Sequence, residues 1–157
     1  MIYVSVGTHT DPFDRLVEAA GRLAQREEVV VQRGTSRVVP GTALVHDVLP
    51  PPEHEALVRR SRVLVCHAGP STLAAAWTLG RVPVVVPRDP ARGEHVDAHQ
   101  LHYAATLAER AVVVLDVREL ADAVDRAAER RIPPLGDGAA FAHAFGRLVD
   151  QVVARRR

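Results

Sequence analysis

Positions 67–72 read HAGPST and combine residue types that suit the binding of an anion. The glycine lets a ligand approach the backbone, and the proline starts a helix where its missing N–H costs nothing. The two hydroxyl residues lie beside the free amides of a helix N-terminus, and the histidine adds a charge-assisted donor. A capped structural turn explains the same residues equally well. The segment fits neither a Walker loop nor a dinucleotide fingerprint, and its candidate diphosphate ligands are His67, Gly69, Pro70, Ser71 and Thr72.

A second polar loop follows the first apolar run of the chain. Gly7, Thr8 and His9 come directly after an apolar segment and precede an amphipathic one. A tight turn accounts for the glycine, but the loop also leads into a helix N-terminus, whose N–H groups and dipole favour an anion. We therefore treat these three residues as a second part of the candidate anion site.

A long polar loop at 87–100 leads into another helix-like segment. Gln100, at its end, has both donors and acceptors, which suits sugar hydroxyls. His95 and His99 have the i, i+4 spacing of a helical metal-binding pair, and His102 follows them. The sequence offers no clear set of further ligands, and histidines near a helix start are more often solvated. We therefore expect no metal site.

Short β-branched runs alternate with longer amphipathic segments, and this alternation positions the three loops. Several runs are nearly continuous in Val and Leu, as in parallel strands covered on both faces. The pattern predicts an α/β fold with a doubly wound, Rossmann-like parallel sheet of about six strands. Ligands of such sheets bind beyond the carboxyl ends of the strands, where all three loops begin. The predicted strands are 1–6, 28–33, 43–48, 63–67, 83–86 and 111–115.

Helices are expected between the strands. In the first, Asp11 is the predicted cap and Pro12 the first helical residue. The third opens after position 69 and ends at Gly80, a common kind of helix stop. The other predicted helices are 53–60, 97–109 and 117–129, followed by a terminal amphipathic helix at about 139–154.

Length and composition favour one domain over residues 1–157, because domains mostly run about 100 to 200 residues. The net charge of +1 gives no field that would attract nucleic acid. We find no apolar run long enough for a membrane span and no signal peptide. The single cysteine, Cys66, suits packing at a buried strand end rather than a nucleophile. These features predict a cytoplasmic protein without an internal disulfide.

Six short segments carry a family likeness: VGTH at 6–9, DPFDRL at 11–16, HAGPST at 67–72, GRVP at 80–83, VPR at 86–88 and GEHVDAHQ at 93–100. Together they resemble the C-terminal domain of glycosyltransferase family 28, over about residues 1 to 130. The last segment is the most specific. The likeness is greatest to stand-alone donor-binding subunits of split UDP-sugar transferases, such as the dolichol-pathway N-acetylglucosaminyltransferase and its bacterial exopolysaccharide counterparts.

The resemblance implies a nucleotide-sugar-binding domain with the fold of the C-terminal half of a GT-B enzyme. The segment 69–72 would contact the diphosphate of a UDP-sugar, with His67 and the 7–9 loop nearby. Glu94 would order its loop, and His99 and Gln100 would contact the sugar ring. The uracil would lie near positions 48 and 49, held mainly through backbone groups.

The implied activity is an inverting transfer of a hexosyl group to an acceptor, in polysaccharide or glycolipid biosynthesis. A membrane-associated partner subunit would hold the acceptor, which would bring this chain to the inner face of the membrane. That partner would also supply the general base, since His9 is the only local candidate and suits a loop hydrogen bond better. The terminal helix would either pack on the domain or dock on the partner. No cofactor or metal is implied.

One position departs from the family pattern. Ala75 stands where the family usually has a carboxylate that takes the ribose hydroxyls. Loss of that group predicts weaker nucleotide binding, by tenfold or more if a charged hydrogen bond of about 1.5 to 3 kcal/mol is missing. A non-catalytic nucleotide-sugar-binding or scaffold protein is therefore the alternative. A flavodoxin-like or NAD-binding domain is weaker, because Arg33-Gly34-Thr35 stands where an acidic residue would follow the second strand.

Overall fold

The computed structural model describes residues 1–41, 43–136 and 138. Six strands in this part of the chain form one sheet, and all six are predicted by the apolar runs. Each strand is shorter than its run, because the residues at the ends of the runs continue into loops. The strands are β1 (Ile2–Ser5), β2 (Val29–Gln32), β3 (Leu44–His46), β4 (Val63–Cys66), β5 (Val84–Val85) and β6 (Val112–Val113).

The sheet is entirely parallel among the described residues, with the order β3-β2-β1-β4-β5-β6. In the centre, Tyr3 of β1 lies opposite Val30 of β2 and Leu64 of β4. The chain winds outward from β1 to β3 and then returns to β4 on the other side, which confirms the doubly wound arrangement. The loops after β1 and β4 diverge at this reversal and leave a crevice between them.

Helices cover both faces of the sheet. The core on one face includes Phe13, Leu16 and Leu120, and the core on the other includes Leu73 and Trp77. Within the described residues, no helix is long and apolar enough to cross a membrane. The helices are α1 (Asp14–Leu23), α2 (Pro51–Arg60), α3 (Pro70–Thr78), α4 (His99–Ala105) and α5 (Leu120–Glu129), with short 3-10 turns at Pro90–Arg92 and Val117–Glu119.

The predicted start of the first helix is wrong. Helix α1 begins at Asp14 instead of after an Asp11 cap, with Phe13 in the N-cap position. The backbone N–H of Phe13 donates to Ser36 Oγ at 2.9 Å, and the Asp14 carboxylate accepts from the backbone N–H of Arg37 at 2.7 Å. A loop distant in sequence thus provides the acceptor that fixes the start, so the local pattern around Asp11 could not reveal it.

Helix α3 starts and stops as its sequence predicts. Pro70 occupies the first helical position, and Gly80 follows the end with φ of +64°. The N–H of Gly80 donates to Trp77 O at 2.9 Å and that of Arg81 to Ala76 O at 3.1 Å, which is the hydrogen-bond pair of a Schellman motif. Helix α4 is shorter than the predicted 97–109, and the predicted terminal helix at 139–154 lies outside the described residues.

Candidate functional site

A cavity of about 310 Å³ lies at the crevice between the carboxyl ends of β1 and β4. Its position is the one at which open parallel sheets bind their ligands. Ser5 and His67 belong to the cavity wall, and both carry a polar side-chain atom that is buried from solvent. The cavity is lined by Ser5, Gly7, Thr8, Gln32, Leu49, Pro51, His54, His67, Ser71 and Thr72.

The N-terminus of α3 supplies donors to this cavity. Because Pro70 is the first helical residue, the first backbone N–H groups of the helix are those of Ser71 and Thr72. Neither has a backbone acceptor or a capping side chain in the part of the chain that the structure describes. Both residues line the cavity, so two free amides and two hydroxyls lie beside it at the positive end of a helix dipole, an arrangement that favours phosphate oxygens.

The imidazole of His67 fills the space between the two glycine loops. A Cβ atom added at Gly7 would lie 2.6 Å from the ring, and one added at Gly69 would overlap it as well. Gly7 also has φ of +78°, which favours glycine independently. Gly69 was predicted to admit a ligand to the backbone, whereas in the structure its missing side chain makes room for His67. Burial, and after it the positive charge of Arg88, lowers the pKa of His67 from 6.5 to about 4.

Arg88 joins the loop after β1 to the loop after β5. Its side chain is fully buried and donates to the carbonyls of Val6 at 2.9 Å, Asp11 at 2.8 Å and Glu94 at 2.9 Å. Its guanidinium also lies 4.8 Å from the centre of the Phe13 ring. Burial lowers the pKa of Arg88, yet an arginine stays charged at neutral pH. This side chain was quoted in a motif but not predicted as part of the site.

Two other buried polar side chains hold the 87–100 loop. The Glu94 carboxylate accepts from Nε of Arg15 and from the backbone N–H of Asp89, each at 2.9 Å. Gln100 Oε1 accepts from the backbone N–H of Arg88 at 3.2 Å. Gln100 is thus buried, and its amide oxygen is engaged with the protein. Its contact with a sugar stays a prediction.

Three imidazoles meet beside the crevice. The rings of His9 and His95 are 4.4 Å apart between centroids, and those of His95 and His99 are 4.6 Å apart. Asp97 lies among them, with Oδ1 at 2.5 Å from Nδ1 of His99 and 3.6 Å from Nδ1 of His95. Partial burial, followed by repulsion from His9 and His99, lowers the pKa of His95.

His95 and His99 do not lie on one helix, although their sequence spacing is that of a helical pair. Helix α4 begins only at His99, so His95 lies in the preceding loop. Asp97 turns the chain between them, because its carboxylate accepts from the backbone N–H of His99 at 3.0 Å. His102, one turn into the helix, is not part of the group of candidate metal ligands found within the described residues.

A family model describing the glycosyltransferase family 28 C-terminal domain matches residues 1–151 of the chain. The chain belongs to this family. The match extends beyond the region of about 1 to 130 that the sequence motifs cover. Among curated proteins, no sequence matches this chain.

Solved structures show the same fold at low sequence identity. The kitacinnamycin glycotransferase has a TM-score of 0.60 and 19% identity, over 82% of this chain and 34% of that protein. Spinosyn forosaminyltransferase SpnP has a TM-score of 0.56 and 18% identity, over 81% and 34%. MurG of Acinetobacter baumannii has a TM-score of 0.52 and 19% identity, over 85% and 46%. The family 28 domain thus has the fold of one half of a GT-B enzyme and spans about a third to a half of these proteins.

The fold brings only some of the predicted site residues of the family 28 domain into one cavity. His9 and His99 lie in the adjacent histidine group, whereas Glu94 and Gln100 support the loop. Gly69 and Pro70 shape the turn behind the cavity wall. Those that line the cavity are Gly7, Thr8, His67, Ser71 and Thr72.

Sequence reasoning missed the opposite wall of the cavity. Gln32 comes from the end of β2, and His54 comes from the first turn of α2. The hydroxyl of Tyr3 and Nδ1 of His54 share a hydrogen bond of 2.8 Å. Leu49 also lines the cavity, and its backbone N–H donates to Gln32 Oε1 at 3.2 Å; its contact with uracil stays a prediction. No local sequence motif indicates these residues, because only the order of the strands in the sheet brings β2 and α2 next to the crevice.

Ala75 lies next to this cavity rather than in it. A smaller cavity of about 230 Å³ lies between α2 and α3, lined by Glu55, Val58, Arg59, Ala75, Thr78 and Leu79. On helix α3, Ala75 follows Ser71 by four residues and Thr72 by three, so all three share one helix face. A longer side chain at position 75 would therefore project beside the donors of the larger cavity.

Proposed function

We propose that the chain is the donor-binding part of an inverting glycosyltransferase that moves a hexosyl group from a UDP-sugar. The observation that carries this proposal is the cavity between β1 and β4, whose lining includes Ser71 and Thr72 at the N-terminus of α3. Membership of a glycosyltransferase family supplies the reaction class. The cavity supports a diphosphate-bearing donor, because its hydrogen-bond donors suit phosphate oxygens.

The proposed chemistry is direct displacement at the anomeric carbon. The acceptor oxygen forms the new bond as the bond to the diphosphate breaks, and negative charge develops on the UDP leaving group. Fixed amide and hydroxyl donors at the start of α3 stabilise that charge without reorganisation during the reaction. The acceptor hydroxyl must also lose a proton. His9 lies among other imidazoles instead of lining the donor cavity, so we assign the general base to the acceptor-binding partner.

The acceptor would be held outside this chain, because the chain corresponds to less than half of the solved proteins that share its fold. We infer a membrane-associated subunit that binds a lipid-linked acceptor of polysaccharide or glycolipid biosynthesis. Such a partner would bring this chain to the inner face of the membrane.

Calorimetric titration with UDP and with uridine tests the donor site. We expect UDP to bind and uridine to bind much more weakly, because the cavity donors suit the diphosphate. The double variant Ser71→Ala/Thr72→Val should lower UDP affinity by about tenfold through loss of the hydroxyl hydrogen bonds. Thr78→Val is the matched control, since its hydroxyl bonds within α3 to the carbonyl of Ala74.

The alternative is a non-catalytic nucleotide-sugar-binding or scaffold protein, favoured by alanine at position 75. Absence of both heat and thermal stabilisation at millimolar UDP would contradict donor binding. UDP binding without transfer, even with the acceptor-binding partner present, would favour the non-catalytic binding protein. Release of UDP from a UDP-sugar in the presence of that partner would favour the enzyme.

A further inference from the structure

The histidine group beside the crevice has the composition and spacing of a transition-metal site. It contains His95, Asp97 and His99, and each can offer one ligand atom such that all three atoms lie within 4.8 Å of one another. His9 from the loop after β1 stacks on His95. We propose that these residues bind a divalent transition-metal ion, with Zn²⁺ as the fitting species.

The distances match the needs of a small ion. Two ligand atoms at about 2.0–2.1 Å from a tetrahedral Zn²⁺ lie roughly 3.3 Å apart. Nδ1 of His95 and Oδ1 of Asp97 are 3.6 Å apart, close to that value. Nδ1 of His99 and the same Oδ1 are 2.5 Å apart and share a hydrogen bond. An ion would replace the shared proton if Nδ1 of His99 and Oδ1 of Asp97 moved slightly apart.

The choice of ligands selects the class of metal. Imidazole nitrogens with a single carboxylate suit Zn²⁺, Co²⁺, Ni²⁺ or Cu²⁺, whereas Mg²⁺ and Ca²⁺ prefer oxygen-rich sites. The ion can reach the site, because the side chains of Asp97 and His99 are 60% and 57% exposed. His95 is nearly covered and provides a fixed inner ligand.

The surrounding structure holds the ligands in place. Glu94 and Gln100 are 5% and 4% exposed and fix both ends of the segment that carries the three ligands. The His9 loop is held by Arg88 through the carbonyl of Asp11. The backbone N–H of Asp11 donates to Nδ1 of His9 at 3.1 Å and holds the ring that stacks on His95.

Titration of the untagged full chain with Co²⁺ tests the site, because tetrahedral Co²⁺ has visible absorption bands that report its coordination. We expect an absorbing complex that Zn²⁺ displaces. His95→Ala, Asp97→Ala and His99→Ala should each weaken Co²⁺ binding by about tenfold or more, and His9→Ala by a smaller factor. His102→Ala is the matched control on the same helix, and His143→Ala controls for a histidine outside the described residues; both should bind Co²⁺ as the unchanged chain does.

The proposal is overturned if Co²⁺ gives no visible complex, or if the three ligand variants bind it as tightly as the unchanged chain. Circular dichroism and thermal unfolding in metal-free buffer confirm that each variant is folded before titration. The test uses no nucleotide, so its outcome is independent of the proposed transferase activity.

Discussion

Arg15 and Glu94 form a forked ion pair across 79 positions of the chain. Nε of Arg15 donates to one carboxylate oxygen of Glu94 at 2.9 Å, and Nη2 donates to the other at 2.8 Å. The two side chains are only 15% and 7% exposed. The pair ties α1 to the loop that carries the histidine group, and a forked geometry of this kind sets orientation as well as energy.

Loss of this carboxylate should be costly. Glu94→Gln would leave the Arg15 guanidinium partly buried and weakly paired, so we expect the free energy of unfolding to fall by about 2–4 kcal/mol. Urea unfolding followed by circular dichroism measures the change. Asp125→Asn is the control, because its pair with Arg26 is about half exposed and its loss should cost much less. Equal costs for the two variants would contradict a structural role for the forked pair.

Gly69→Ala should destabilise the fold through collision with His67. The backbone at Gly69 has φ of −84°, which alanine adopts freely, so only the added methyl group matters. We expect a loss of about 1–3 kcal/mol in the free energy of unfolding. The loss should shrink in a His67→Ala background, measured as a double-mutant cycle.

Gly41→Ala serves as the control for this prediction. A Cβ atom there meets nothing within 4 Å, so the change should stay within about 0.5 kcal/mol. If Gly69→Ala cost the same with and without the imidazole, the collision would not be its cause.

Stability should fall in mild acid because of His67. Its pKa is about 4 in the folded chain, below the ordinary value of about 6.5 expected in the unfolded chain. Above the unfolded value neither state takes a proton here. As the pH falls from about 6.5 to about 4, His67 becomes protonated in the unfolded chain but not in the folded chain. The free energy of unfolding therefore falls by up to about 3 kcal/mol.

His67→Gln isolates this contribution. Its free energy of unfolding, measured in urea at a series of pH values, should depend less on pH than that of the unchanged chain. His102→Gln, at an exposed position on α4, should keep the original slope. A slope unaffected by His67→Gln would place the acid sensitivity elsewhere.

Ala75→Glu should strengthen UDP binding. A carboxylate at this position would project beside Ser71 and Thr72 and could accept ribose hydroxyls, so we expect affinity to rise by about tenfold. Ala74→Glu adds the same charge to the same helix on a different face and should give no gain. Calorimetry with UDP compares them, and a gain for both variants, or for neither, would contradict the proposed position of the ribose.

The sequence predicts best where the signal is local. The six strands, Pro70 at the start of α3 and Gly80 after its end all follow from runs or single residues whose conformational preferences act nearby. The start of α1 could not be predicted, since Ser36 and Arg37 fix it from another loop.

In the candidate site, too, local features were predicted and features that depend on tertiary structure were missed. The loops after β1, β4 and β5 were recognised from their residues, because strand ends in a parallel sheet converge on one edge. His54 and Gln32 were missed, since only the order of the strands brings them to the cavity. The meeting of His9 with His95 also depends on tertiary structure, which spacing in the sequence does not reveal.

Because Arg88 bonds to two different loops, neither loop can be exchanged on its own. Its guanidinium donates to the carbonyls of Val6 and Asp11 in the loop after β1 and to that of Glu94 in the loop after β5. The conformations of the two loops therefore depend on each other. A graft that exchanges one loop for that of a relative would leave this cation facing carbonyls in the wrong places. Chimeras should therefore transplant both loops together with their shared arginine, as one cassette.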